Sequence, residues 1–101
     1  MSELVKIGTK KDLPKPGDVK ELTANGRPLC VANLNGVIHA LDNECPHHGG
    51  PLGEGMLEGN SVVCPWHAWS FDVVTGKSAE EDERVRVFPV TTQGDEVFVE
   101  I

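Results

Sequence analysis

Two short segments of this chain each pair a thiol with an imidazole: Cys45-Pro46-His47 and Cys64-Pro65-Trp66-His67. Residues 48–63, sixteen in all, lie between the two pairs. A metal centre drawing on all four side chains has to bring these segments together as neighbouring loops. No other feature limits the fold as strongly. With 101 residues the chain holds one core, and a domain of this size is only modestly stabilised by burial. A metal fastening two distant loops would staple it. Between the pairs, Gly53, Gly55, Gly59 and Asn60 supply enough turn chemistry to fold the chain back on itself.

The rest of the sequence reads as short strands and tight turns. Eleven Gly and seven Pro argue against long helices. Residues 3–9 suit a first strand, followed by turns at Asp12-Leu13-Pro14 and Pro16-Gly17 that lead into another. Residues 27–34 and 37–42 are apolar runs joined by Asn35-Gly36, a dipeptide that tolerates positive φ and favours a two-residue hairpin turn. From about residue 43 to 74 the character changes. Gly, Pro, Cys, His and Trp crowd together around strand-like pieces at 55–57 and 61–64, which reads as an inserted subdomain. Residues 85–90 and 96–101 resume β-branched alternation on either side of Gln93-Gly94-Asp95 and return the chain to its base. The predicted class is all-β in a single domain, 1–101, with a base of 1–42 and 75–101. No internal repeat and no linker is evident.

Charge and cysteine usage exclude several functions. Nine Lys and Arg against sixteen Asp and Glu give −7, which disfavours nucleic acid and anionic lipid as partners. No apolar stretch approaches the roughly 20 residues of a bilayer span, and residues 1–10 lack the pattern of a signal peptide. A cytoplasmic protein is expected. Three Cys cannot all pair, and two stand beside His at tight spacing, which in a reducing compartment suggests metal ligands. Cys30, in the apolar run 28–32, reads as a small buried thiol, and His39 as a half-exposed strand residue without a role.

C-x-H, sixteen residues, then C-x-x-H supplies one thiolate and one imidazole from each of two loops. A [2Fe-2S] centre with two thiolates on one iron and two imidazoles on the other has that requirement. Two ferric irons, two sulfides and two thiolates sum to a neutral core when the imidazoles are neutral, so an added electron costs less than in a four-thiolate centre. Zinc is the competing occupant, since Cys2His2 is also a structural zinc composition, but zinc modules favour C-x₂₋₄-C and H-x₃₋₅-H halves. His48 adjoins the proposed ligand, and the spacing selects His47.

These residues resemble the Rieske family, and specifically the ferredoxin components of bacterial ring-hydroxylating dioxygenase systems. The resemblance is loose over the whole chain and tight over residues 45–76. It implies an antiparallel β-sandwich or barrel base carrying a small cluster-binding subdomain at about 43–74. One Rieske [2Fe-2S] cluster would be held there by Cys45, His47, Cys64 and His67. Respiratory members add a Cys in each loop, at positions matching Gly50 and Trp66 here, and place Ser and Tyr hydroxyls near sulfur where this chain has Trp69 and Phe71. Hydrogen bonds to sulfur favour the reduced cluster, so their loss predicts the low-potential class. Outward-facing His47 and His67 imidazoles would give a potential that falls with pH once their outer protons leave.

The implied role is a one-electron carrier without turnover of its own. It would pass electrons from an NAD(P)H-dependent ferredoxin reductase to a terminal oxygenase and be monomeric alone. Two alternatives remain: a Rieske small subunit of a nitrite-reductase-type or other oxidoreductase complex, and a zinc-stabilised interaction module. Pro46 and Pro65 punctuate the loops or fix φ beside the ligand Cys, Gly49 and Gly50 make the turn or let backbone N–H groups approach sulfide, and Leu52, Trp66, Trp69 and Phe71 read as general core, as a dry shield around the cluster, or as both. The acidic run Glu80-Glu81-Asp82-Glu83 reads as a solvated loop standing where many relatives carry a proline-rich cover.

Overall fold

The computed structural model describes residues 3–44, 51–65, 69–78 and 84–101. Among the described residues, ten short strands form three antiparallel sheets. They are β1 (Leu4–Thr9), β2 (Val19–Ala24), β3 (Arg27–Leu34), β4 (Val37–Asp42), β5 (Met56–Glu58), β6 (Ser61–Val63), β7 (Ser70–Asp72), β8 (Val87–Phe88), β9 (Val90–Gln93) and β10 (Glu96–Glu100). The sheet orders are β1-β10-β9, β2-β3-β4-β8 and β5-β6-β7. Single 3₁₀ turns follow β1 at Lys10–Asp12 and precede β5 at Leu52–Glu54.

Asn35-Gly36 forms the predicted hairpin: Leu34 pairs with Val37, and the two turn residues have φ of 55° and 91°. The buried Asn33 supports that turn by accepting from the Gly36 N–H at 2.8 Å while its amide donates to the Pro14 carbonyl at 3.0 Å. A second hairpin of the same kind, at Asn25-Gly26 between β2 and β3, went unread in the sequence although its φ values, 53° and 81°, meet the same requirement. The run 85–90, expected as one strand, is divided. Val87–Phe88 pairs with β4, whereas Val90 starts a strand that pairs with β10. Pro89 has no N–H for either ladder and stands at the switch between sheets. Ser70–Asp72 forms a strand too short for its alternation to be read.

β3 is the centre of the molecule. Its burial runs without a break from Leu29 to Asn33, because the strand is covered on both faces. Side chains alternate across a strand, so Leu29 and Val31 join one cluster while Cys30 and Ala32 join the other. The first cluster adds Ile7, Ala24, Ala40, Phe88, Val97 and Val99 and packs the two larger sheets together. The second adds Leu41, Leu52, Val62, Cys64, Phe71, Val73 and Val85 and holds the β5-β6-β7 sheet. Cys30 therefore takes the core position expected of it, and burial pushes its thiol up to about 12. His39, paired with Ala32 on β4, is half-buried. Among the described residues no helix is long and apolar enough to cross a membrane.

Candidate metal centre

Each Cys/His pair belongs to a loop whose base is closed by backbone hydrogen bonds. β4 ends at Asp42, and the chain then enters the first loop. Glu44 and Pro51 form an isolated antiparallel bridge, and the Leu52 N–H donates to the Asn43 carbonyl at 2.8 Å. Glu44 and Pro51, the residues on either side of 45–50, are thus held side by side. The second loop is the tip of the β6-β7 hairpin: Val63 pairs with Ser70, and the Cys64 N–H donates to the Trp69 carbonyl at 2.7 Å.

Close approach at two glycines, Gly55 to the second stem and Gly53 to Asn43 and β2, positions the first stem, and neither residue is in a left-handed conformation. Gly55 has φ −82°, but a Cβ there would overlap the Val63 carbonyl, so the chain leaving the first loop presses directly on the strand that delivers Cys64. Gly53 packs equally closely, with an added Cβ only 2.8 Å from both Asn43 Oδ1 and Glu21 Cα. Composition suggests turns at both, and their role in the fold is close approach. Gly59, with φ 60° between β5 and β6, is the turn residue. Asn43 carries no local signal in the sequence. This buried side chain accepts the Gly53 N–H at 2.6 Å and donates to Glu21 Oε1 at 2.8 Å. It lies past the end of β4, between Asp42 and Glu44, where no period-two alternation marks it.

Of the four proposed ligands, Cys64 is described. It is 2% exposed and shares an apolar cluster with Leu52, Val62 and Phe71, each fully buried, against which Trp69 packs. Leu52 comes from the first loop's stem and Cys64 from the second, so one dry core underlies both. Cys45, His47 and His67 lie outside the described residues, as do Pro46, His48, Gly49, Gly50, Trp66 and residues 79–83. The chemistry of the donor set fits an iron–sulfur cluster. A thiol sits at the buried end of two closed loops, and the sequence supplies one further thiol and two imidazoles to those same loops. Phe71 and Trp69 are apolar neighbours where a hydroxyl would stand if sulfur were hydrogen-bonded from these positions.

Comparison with known proteins agrees with this architecture. The model of the Rieske [2Fe-2S] domain matches residues 3–91, and the chain belongs to that family. Its cofactor is a [2Fe-2S] cluster of the Rieske type. A similar protein is the ferredoxin component of the naphthalene 1,2-dioxygenase system of Pseudomonas aeruginosa, 34% identical over 87 residues, 84% of each chain. Among solved structures, a chain in the complex of reduced oxygenase and oxidized ferredoxin in carbazole 1,9a-dioxygenase is 30% identical. It aligns with a TM-score of 0.83 over 94% of this chain and 99% of that one. A putative NADH-dependent nitrite reductase small subunit from Mycobacterium tuberculosis shares the fold, with a TM-score of 0.88 at 18% identity over 100% and 96% of the two chains.

Proposed function

We propose that Cys45, His47, Cys64 and His67 hold the cluster, and that the protein carries single electrons from an NAD(P)H-dependent ferredoxin reductase to a terminal oxygenase. The observation that carries this reading is the pair of closed loop stems sharing one apolar core, each loop containing one Cys and one His. When bound, the cluster takes up and returns one electron without breaking a bond. The chain's own work is to hold that centre rigidly and keep water from its inner face. Leu52, Val62 and Phe71 exclude water behind Cys64, while the backbone bonds at Asn43–Leu52 and Cys64–Trp69 fix the loop bases. With no hydroxyl at positions 69 and 71, the reduced form lacks two stabilising donors, which favours the lower part of the Rieske range, about −150 mV.

Residues 43–74 act as the cluster-binding subdomain. In support, the β5-β6-β7 sheet is built entirely from this stretch, whereas the other two sheets draw their strands from residues before and after it. The carrier works as a cytoplasmic monomer, is not itself an enzyme, and meets its partners in turn. Support for an oxygenase as acceptor comes from the relatives' roles in dioxygenase systems and from the ferredoxin–oxygenase complex.

The test combines iron analysis, EPR of the reduced protein and single substitutions. Cys45→Ala, His47→Ala, Cys64→Ala and His67→Ala are each expected to abolish the mixed nitrogen–sulfur signal, and His48→Ala to leave it unchanged. Loss of the signal in His48→Ala with retention in His47→Ala would reverse the ligand choice. Reduced protein that a terminal oxygenase cannot reoxidise would remove the shuttle assignment.

A further inference from the structure

We infer that Asn43 is the positioning residue of the first ligand loop and that Glu21, on strand β2 of the central sheet, helps hold it in the orientation in which it works. This rests on the reading that residues 45–50 carry two of the ligands. The Asn43 side chain spans the loop base. Its Oδ1 accepts the Gly53 N–H at 2.6 Å in a buried setting, its backbone carbonyl accepts the Leu52 N–H at 2.8 Å, and its Nδ2 donates to Glu21 Oε1 at 2.8 Å. One residue therefore ties the entry of the loop, its exit and the large central sheet into a single strap. Gly53 is fitted to it, because a Cβ would meet both Asn43 Oδ1 and Glu21 Cα at 2.8 Å.

An Asn amide is nearly symmetric in shape, so packing alone does not decide which end faces Gly53. Its two partners decide it together: the Gly53 N–H only donates and takes the oxygen, while the Glu21 carboxylate accepts from the NH₂ end. Donor and acceptor in this pair are thus interchangeable only as a pair. A carboxylate introduced at position 43 would still accept from Gly53 but would face the Glu21 carboxylate. Replacing Glu21 at the same time by an amide would restore one donor and one acceptor.

The experiment uses the holoprotein with four changes: Asn43→Asp, Glu21→Gln, the two combined, and Glu21→Ala. Two rates are read, bleaching of the visible absorbance in a mild iron chelator and amide hydrogen exchange at Leu52 and Gly53. Breaking a charge-assisted hydrogen bond is expected to raise both rates about tenfold in Asn43→Asp. Glu21→Gln keeps an acceptor for Asn43 and stays near the parent. The combined variant returns to within about twofold of the parent, a rescue that loss of bulk packing would not give. Glu21→Ala changes an exposed residue, so it folds regardless, and it is expected to accelerate exchange at Gly53 selectively over β10. Absence of rescue, or acceleration spread evenly over all three sheets, would overturn the assignment. Failure of the ligand reading shows separately, as a cluster retained in Cys45→Ala. The Gly53 exchange rate reports the strap whether or not that reading stands.

Discussion

Gly55 offers the sharpest test of how the two loops are joined. A Cβ at this position would overlap the Val63 carbonyl, which is backbone and cannot rotate away as a side chain would. Gly55→Ala must therefore separate the chain leaving the first loop from β6. Forcing an extra carbon into packed structure costs about 1 to 3 kcal/mol, and a rigid backbone obstacle places this case near the top of that range. Gly94→Ala is the control: its φ is 62° and nothing lies within 4 Å of the added carbon, so only left-handed strain of about 1 to 2 kcal/mol is incurred. For a domain of this size each kcal/mol lowers the apparent melting temperature by about 4 to 8 °C. Thermal scans of the holoprotein at one heating rate should show drops of about 12 to 24 °C for Gly55→Ala and about 4 to 16 °C for Gly94→Ala. The two also differ in kind. Gly55→Ala is expected to hasten bleaching below the melting transition, since it parts the stems of the ligand loops, whereas Gly94→Ala leaves that rate unchanged. Equal shifts with unaltered bleaching in both would refute the idea that Gly55 holds the stems in contact.

Two further outcomes follow from the same packing. Leu52→Ala removes a fully buried side chain beneath both loops and should cost about 2 to 5 kcal/mol in denaturant titration, together with faster bleaching than an equally destabilising change in the other cluster, such as Val97→Ala. Cys30 sets an alkaline limit. Its thiol stays protonated in the fold up to about pH 12, while in the unfolded chain it ionises near its ordinary value of 9.0. Its contribution is therefore fully present below pH 9 and is lost as pH rises through the window between these values, by about 1.4 kcal/mol per unit. Denaturation midpoints of parent and Cys30→Ala should converge between pH 9 and 11. A gap that stays constant would show that Cys30 does not titrate differently in the two states.

The Asn35-Gly36 hairpin, the flanking strands and the all-β class were legible because they rest on local signals, namely a turn dipeptide and period-two alternation. The four candidate ligands were legible as spacing. What escaped reading depends on contacts between segments far apart in sequence. Asn43 matters through Glu21, Gly55 through Val63, and the division of residues 85–90 through the two sheets that compete for them. Gly53 and Gly55 illustrate the limit well, since composition marked them as flexible while their backbone φ requires no such freedom, and only the neighbouring backbone explains them.

The two-sided burial of β3 has a consequence for anyone reshaping this domain. Adjacent positions along the strand answer to different neighbours: Leu29 and Val31 to the outer sheet, Cys30 and Ala32 to the β5-β6-β7 sheet. A one-residue slip would push branched aliphatic groups into the space that now takes a thiol and a methyl. Grafting the β5-β6-β7 segment onto another β framework would therefore demand a host strand with compact side chains at alternate places, and matching the loop ends alone would not seat it.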